Sequence, residues 1–323
     1  MTANDPDSRR ARLLERRGQL TEEQRRLLEQ RLRGASPGAA PPPTPVRCLV
    51  EITPPAAVSR PPFFCVHPAG GDVLCFVPLA RHLGADQPFY GFQARGLEDD
   101  AEPFATLEEM AEHYVSEIRR VQPSGPYRLG GWSFGGLAAF EVARQLAARG
   151  DEVACLAVLD TTPGVPPEEA GEPSMPEDDD IPWLLAIADY VRGLRGADLG
   201  LTAELLAPLA PEERLRAFVD RLRAAGIVHA GEDGLAQLRR LLRVFKANVR
   251  AYRSYRPQPY PGPISLFRAA DAELDPDLGR DLGWGRLTPM PAEVHELPGG
   301  HVTLMAEPNV AVLAARLRAR LDV

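Results

Sequence analysis

One serine stands where a chain could activate it. Ser133 lies in Tyr127-Arg-Leu-Gly-Gly-Trp-Ser-Phe-Gly-Gly136, whose centre, Gly131-Trp-Ser-Phe-Gly135, has the Gly-x-Ser-x-Gly spacing of a nucleophile turn. Three specified positions are a weak signal alone, but the neighbours strengthen it. A strand-like run, Tyr127 to Trp132, leads in, and a helix-compatible run, Leu137 to Ala148, leads out. Such a strand-turn-helix holds the serine in a strained backbone conformation and needs small residues on either side to avoid collision. Gly131 and Gly135 occupy those places.

A serine hydroxyl is a poor nucleophile at neutral pH, so a base must reach it and an acid must hold that base in one tautomer. His301, in Leu297-Pro-Gly-Gly-His301, is the best-placed base, on a Gly-rich loop after the last strand-like run. His67, in Phe64-Cys-Val-His-Pro-Ala-Gly-Gly71, is its competitor; following the first core strand, it is expected to shape a loop that supplies an oxyanion-binding amide. His82, His113, His229 and His295 have no motif context. Two acids end strand-like runs, Asp160 after Ala154 to Leu159 and Asp271 after Pro263 to Ala270, and the residues alone leave that choice open. The expected oxyanion donors are the backbone N–H of Phe134, at a helix start, and that of Ala69, beside Gly70 and Gly71.

Bringing these groups together requires a particular set of elements. Phe63 to His67, Pro88 to Phe92, Tyr127 to Trp132, Val153 to Leu159, Pro263 to Arg268 and Glu293 to Leu297 read as strands. They alternate with helix-compatible Val73 to Leu83, Leu107 to Val121, Leu137 to Ala148 and Val302 to Leu321. That rhythm predicts an α/β fold with a mostly parallel sheet covered on both faces, and the order Ser, acid, His is that of an α/β-hydrolase. Between Asp160 and Pro263 the pattern is helical only: Trp183 to Leu194, Glu212 to Ala224 and Leu235 to Tyr255, entered through a Pro- and acid-rich run from Pro163 to Asp180. An insertion over about 163–257 is expected to form a helical lid over the active edge of the sheet. The hydrolase domain is placed at 47–323. Residues 1–46 read as an N-terminal helix, with Leu20, Leu27, Leu28 and Leu32 on helical spacing and Thr21 with Gln24 as a capping box, followed by a Pro-rich linker.

Composition narrows the function. A chain of 323 residues, 44% of them apolar, buries a sizeable core. Its net charge of −8 offers no global positive field for nucleic acid or an anionic membrane. With no opening apolar run of signal-peptide type and no stretch of about 18 apolar residues, a cytoplasmic location is expected. Cys48, Cys65, Cys75 and Cys155 show neither metal-ligand spacing nor disulfide density and are expected to be buried thiols. The histidines show no metal spacing either, so neither metal nor cofactor is expected.

Several motifs in order carry a resemblance: His67-Pro-Ala-Gly-Gly, Phe89-Tyr-Gly-Phe-Gln-Ala-Arg-Gly-Leu97, Gly130-Gly-Trp-Ser-Phe-Gly-Gly, Val158-Leu-Asp-Thr-Thr-Pro163 and Gly299-Gly-His301. Over roughly residues 47 to 320 the chain resembles the thioesterase domains that end nonribosomal peptide synthetases and polyketide synthases. The resemblance implies release of an acyl chain from a phosphopantetheine arm on an acyl or peptidyl carrier protein, by hydrolysis or macrocyclisation. It also implies a triad acid after the strand that follows the nucleophile helix, which favours Asp160. The chain has no carrier domain before residue 47 and no Gly-x-Asp-Ser attachment site. A protein acting in trans or a piece of a synthetase is therefore expected, with the N-terminal helix as a candidate docking element.

Other readings compete. Editing of misacylated carriers and shuttling of acyl groups belong to the same family; Gly-Trp-Ser-Phe-Gly looks more like releasing domains than editing ones. A carboxylesterase needs the same three residues, and a non-catalytic binding module would need none of them. In the insertion, Trp183, Leu184, Leu185, Tyr190, Phe218, Phe245 and Tyr252 suit core packing or a cavity lining. Arg239, Arg240 and Arg243 suit a solvated helix face or contact with an acidic carrier protein.

Overall fold

The computed structural model of the chain describes residues 47–55, 60–164, 175–227, 233–271 and 278–322. The expected N-terminal helix and linker lie outside the described residues, as do 165–174 of the acid-rich run. The strands are β1 (Leu49–Thr53), β2 (Phe63–Val66), β3 (Phe89–Phe92), β4 (Tyr127–Trp132), β5 (Val153–Leu159), β6 (Ser265–Ala269) and β7 (Glu293–Leu297). They form one sheet in the order β1-β3-β2-β4-β5-β6-β7. β1 runs antiparallel to β3, and the other pairs are parallel. Six strands match expectation, and β1 is an addition. Its Leu-Val-Glu-Ile-Thr lacks a clean alternation, because on this edge Val50 and Glu51 are both exposed. The buried carboxylate of Glu117 anchors its start by accepting from the amides of Cys48 at 3.0 Å and Leu49 at 2.7 Å.

The strand order reverses after β3. The chain moves outward from β2 to β3, then returns to the other side of β2 with β4. The carboxyl ends of β2 and β4 therefore flank the switch point of the sheet, where open parallel sheets leave a crevice. The loop starting at His67 and the turn at Ser133 leave from those two ends.

Helices cover both faces: α1 (Val77–Leu83), α2 (Leu107–Val121), α3 (Phe134–Ala148) and the terminal helix α8 (Asn309–Leu321). Pleating sends alternate strand residues to opposite sides. Phe63, Cys65, Trp132, Cys155, Ala157, Leu159, Phe267 and Leu297 pack with α1 and α8 in one core. On the other face α2 and α3 pack on each other, and α3 packs on β2, β4 and β5. In α2 the buried Leu107, Met110, Ala111, Tyr114, Val115 and Ile118 recur at helical spacing, and Thr106 caps the helix by accepting from the Glu109 amide. All four cysteines are buried and unpaired.

Between β5 and β6 lie α4 (Ile181–Arg195), α5 (Ala203–Leu206), α6 (Pro211–Ala224) and α7 (Gly234–Ser254). Local signals set their ends: proline in the first turn of α4 and α6, Asp233 accepting from the Ala236 amide at the head of α7, and Gly196 in the left-handed region closing α4. These helices bury a core of their own, including Trp183, Leu184, Phe218, Val219 and Leu238. No helix among the described residues is long and apolar enough to cross a membrane.

Candidate active site

Ser133 occupies the tight junction between β4 and α3 with φ 57° and ψ −130°, a conformation that L-residues avoid. Two glycines make the turn possible. A Cβ on Gly131 would lie 2.0 Å from the Gly135 carbonyl oxygen, and one on Gly135 would lie 2.1 Å from that of Val66. From the adjacent strand end, the Thr161 hydroxyl donates to the Ser133 carbonyl at 2.6 Å, and the Ser133 amide donates to Leu159 at 3.0 Å. The backbone is thus held on both sides of the serine.

His301 Nε2 lies 3.0 Å from Ser133 Oγ, and its Nδ1 lies 2.7 Å from Asp160 Oδ2. Asp160 Oδ1 accepts from the Ala269 amide at 2.8 Å, which fixes the buried carboxylate. With an acceptor at Nδ1, the neutral ring carries its proton there and leaves Nε2 as the basic nitrogen facing the serine. The Trp132 indole donates to the His301 carbonyl at 3.1 Å and packs against the ring. Asp271, the other strand-end acid, is exposed, and its amide donates to the Gly299 carbonyl at 3.2 Å.

His67 is elsewhere. It is buried, with Nδ1 donating to the Pro68 carbonyl at 2.8 Å and Nε2 accepting from the Tyr114 hydroxyl at 2.9 Å. Burial holds its pKa down at about 4, so the ring is neutral, and it stacks on Phe134. Both nitrogens are committed to shaping the loop. Ala69 and Phe134, the expected amide donors, border the same cavity of about 320 Å³ as Ser133, Asp160 and His301, with Thr162, Val249 and Tyr252 completing the wall. A second cavity of about 420 Å³ has Gly70, the neighbour of Ala69, in its wall. Its lining is mostly apolar and comes from Ile187, Val191, Leu194, Phe218, Leu241 and Phe245.

Other residues that build the site were not singled out by sequence, Trp132 and Thr161 although they lie within quoted motifs and Asn248 with no motif at all. Thr161, Trp132 and Asn248, whose side chain donates to the Ala69 carbonyl at 2.9 Å, act on backbone groups distant in sequence. A lone asparagine inside the apolar face of α7 was the available signal. Arg239, Arg240 and Arg243 of α7 are engaged: Arg239 pairs with Glu212, Arg240 donates to the Leu97 carbonyl, and Arg243 donates to those of Gly96, Asp99 and Ala101.

Residues 61–320 match the family model of the thioesterase domain. The chain belongs to that family. Among the relatives of this thioesterase-family chain, a dimodular nonribosomal peptide synthase of Bacillus subtilis (strain 168) is 37% identical over 213 residues, covering 65% of this chain and 8% of that protein. Malpibaldin synthetase of Mortierella alpina is 30% identical over 267 residues, covering 82% and 4%. The chain therefore spans under a tenth of either synthetase. Among solved structures, the NocB thioesterase domain from the nocardicin cluster is 26% identical with a TM-score of 0.59, covering 85% of this chain and 99% of that one. A holo four-domain nonribosomal peptide synthetase bound to AMP and glycine is 30% identical with a TM-score of 0.76, covering 92% and 21%. The thioesterase family, with its α/β-hydrolase fold, makes the chain a hydrolase.

Proposed function

We propose that this thioesterase-family chain releases an acyl or peptidyl chain from the phosphopantetheine arm of a carrier protein, through an acyl-enzyme on Ser133. The observation that carries the reading is the relay in which Ser133 Oγ, His301 and Asp160 are linked at 3.0 and 2.7 Å in a cavity bordered by two candidate amide donors. Ser133 Oγ attacks the thioester carbonyl while His301 Nε2 takes its proton, and the amides of Ala69 and Phe134 receive the oxyanion. The intermediate collapses, the carbon–sulfur bond breaks, and the arm leaves as a thiol with the proton from His301. Water, or a hydroxyl or amine of the bound chain, then attacks the ester with His301 again as base, giving a free acid or a macrocycle. No cofactor takes part beyond the arm itself. The helices between β5 and β6 act as the lid that shapes the acyl site.

The test is intact-protein mass spectrometry after exposure to an acyl-thioester mimic, comparing the wild-type chain with Ser133→Ala. An acyl adduct on the first and none on the second is the expected result. Turnover that survives Ser133→Ala unchanged would refute the reading. Rapid turnover of simple esters with no thioester preference would instead point to a carboxylesterase.

A further inference from the structure

Asn248 stands mid-helix in Val244-Phe-Lys-Ala-Asn-Val249 and is 1% exposed. A carboxamide buried there is costly unless it is partnered. Its partner is the Ala69 carbonyl, 179 residues away in sequence, at 2.9 Å. We propose that Asn248 is a positioning residue: from the helical insertion it holds the Ala69 amide in the orientation that receives the oxyanion. The inference rests on the acyl-transfer reading above.

Two peptide units decide where that amide points. The Pro68–Ala69 unit contains it, and the Pro68 carbonyl accepts from His67 Nδ1 at 2.8 Å and from the Gly71 amide at 2.9 Å. In a trans peptide the N–H points opposite the carbonyl, so these bonds turn the Ala69 N–H to the other side of the loop. The next unit, Ala69–Gly70, runs into two consecutive glycines and has little steric resistance to rotation. Its carbonyl is the one that Asn248 holds. Val244, one turn earlier on α7, closes on the same loop, since a Cβ on Gly71 would lie 2.8 Å from Val244 Cγ1.

A positioning residue needs a fixed base, and α7 has one. Beyond the loop it is tied to the core by Arg240 to the Leu97 carbonyl at 3.2 Å and Arg243 to the Gly96 carbonyl at 3.2 Å. At its end the Tyr255 hydroxyl donates to Glu141 at 2.6 Å. α6, in contrast, makes its main packing contact with α7 itself. α7 therefore serves as a wall of the oxyanion site, to which it contributes Val249 and Tyr252.

The experiment compares Asn248→Asp, which keeps the shape and loses the donor, and Asn248→Leu, with Leu238→Ala as the control that loosens the insertion's own core without touching Ala69 or the bonds that tie α7 in place. Steady-state kinetics on an acyl-thioester mimic are measured beside the rate at which a small fluorophosphonate labels Ser133 and beside the thermal midpoint. An oxyanion effect lowers kcat about 10- to 100-fold with KM little changed, and slows labelling by a similar factor. Leu238→Ala should lower the midpoint comparably and leave kcat within about twofold. Either Asn248 variant retaining wild-type kcat, or losing no more than Leu238→Ala, overturns the proposal. Failure of the underlying reading is separable, because Ser133→Ala would then leave turnover intact.

Discussion

The carboxyl edge of the sheet and the helical insertion meet around one cavity but are built in different ways. At the edge, backbone packs on backbone: β4 enters α3 through a turn in which the Cβ of an alanine at Gly131 or Gly135 would fall about 2 Å from a carbonyl oxygen. In the insertion, side chains pack on side chains, Trp183 and Phe218 being fully enclosed while α4 ends on Gly196 with open space around it. The first arrangement fixes a few atoms to tenths of an ångström and tolerates no added methyl. The second sets a volume and a lining that exchange of side chains can alter. In the proposed reaction the bond-making atoms sit in the rigid region, and the adaptable one shapes the space for substrate.

Ser133→Ala should produce the largest effect, lowering kcat on an acyl-thioester mimic by about 10⁶-fold. Asp160→Asn follows, at about 10⁴-fold in kcat, because the amide favours the wrong imidazole tautomer. A matched pair then tests the contrast directly. Gly135→Ala, which drives a methyl into the Val66 and His67 carbonyls, should cost more than about 4 kcal/mol by chemical denaturation or give no folded protein. Gly196→Ala, at φ 66° with nothing within 4 Å, should cost about 1 kcal/mol, the ordinary penalty of the left-handed region. Similar losses from both would erase the distinction.

Between those two lies a pH effect. His67 titrates at about 4 in the folded chain and near 6.5 when unfolded, so below pH 6.5 the unfolded state takes up the proton first. The stability its neutral ring contributes is complete above pH 6.5 and falls by about 3 kcal/mol as pH drops to 4. Urea midpoints at pH 7 and pH 4.5 should therefore diverge more for the wild-type chain than for His67→Gln. Equal divergence would place the titration elsewhere.

Much of the edge was legible in sequence. Ser133, Asp160 and His301 each follow a strand-like run and precede a turn, so topology could be read from residue types. The start of α3 was not: its expected first residue was Leu137, and the helix begins at Phe134, because Gly135 and Gly136 disguise a helical turn required by close approach to β2 and Thr161. The terminal helix also differs, with a 3₁₀ turn at Thr303–Met305 and α8 starting after Pro308, which lacks the amide needed to continue a helix. Asn248 had no legible partner, since a backbone carbonyl 179 residues away leaves no trace in residue type. Trp183 and Phe218 join the insertion's core, Tyr190, Phe218 and Phe245 border the larger cavity, and Tyr252 borders the serine's. Periodicity could not divide them, because packing and lining demand the same side chains.

The buried cysteines have a practical consequence. Burial pushes the Cys48 and Cys155 thiols up to about 12, and Cys65 and Cys75 also lie well above the usual thiol range. The folded protein should react only slowly with thiol-reactive dyes, Cys75 at the wall of the larger cavity being the most accessible. A colour that develops during turnover then counts the sulfhydryl shed by the substrate, and each cycle of the enzyme can be followed continuously without blocking or replacing any residue of the chain.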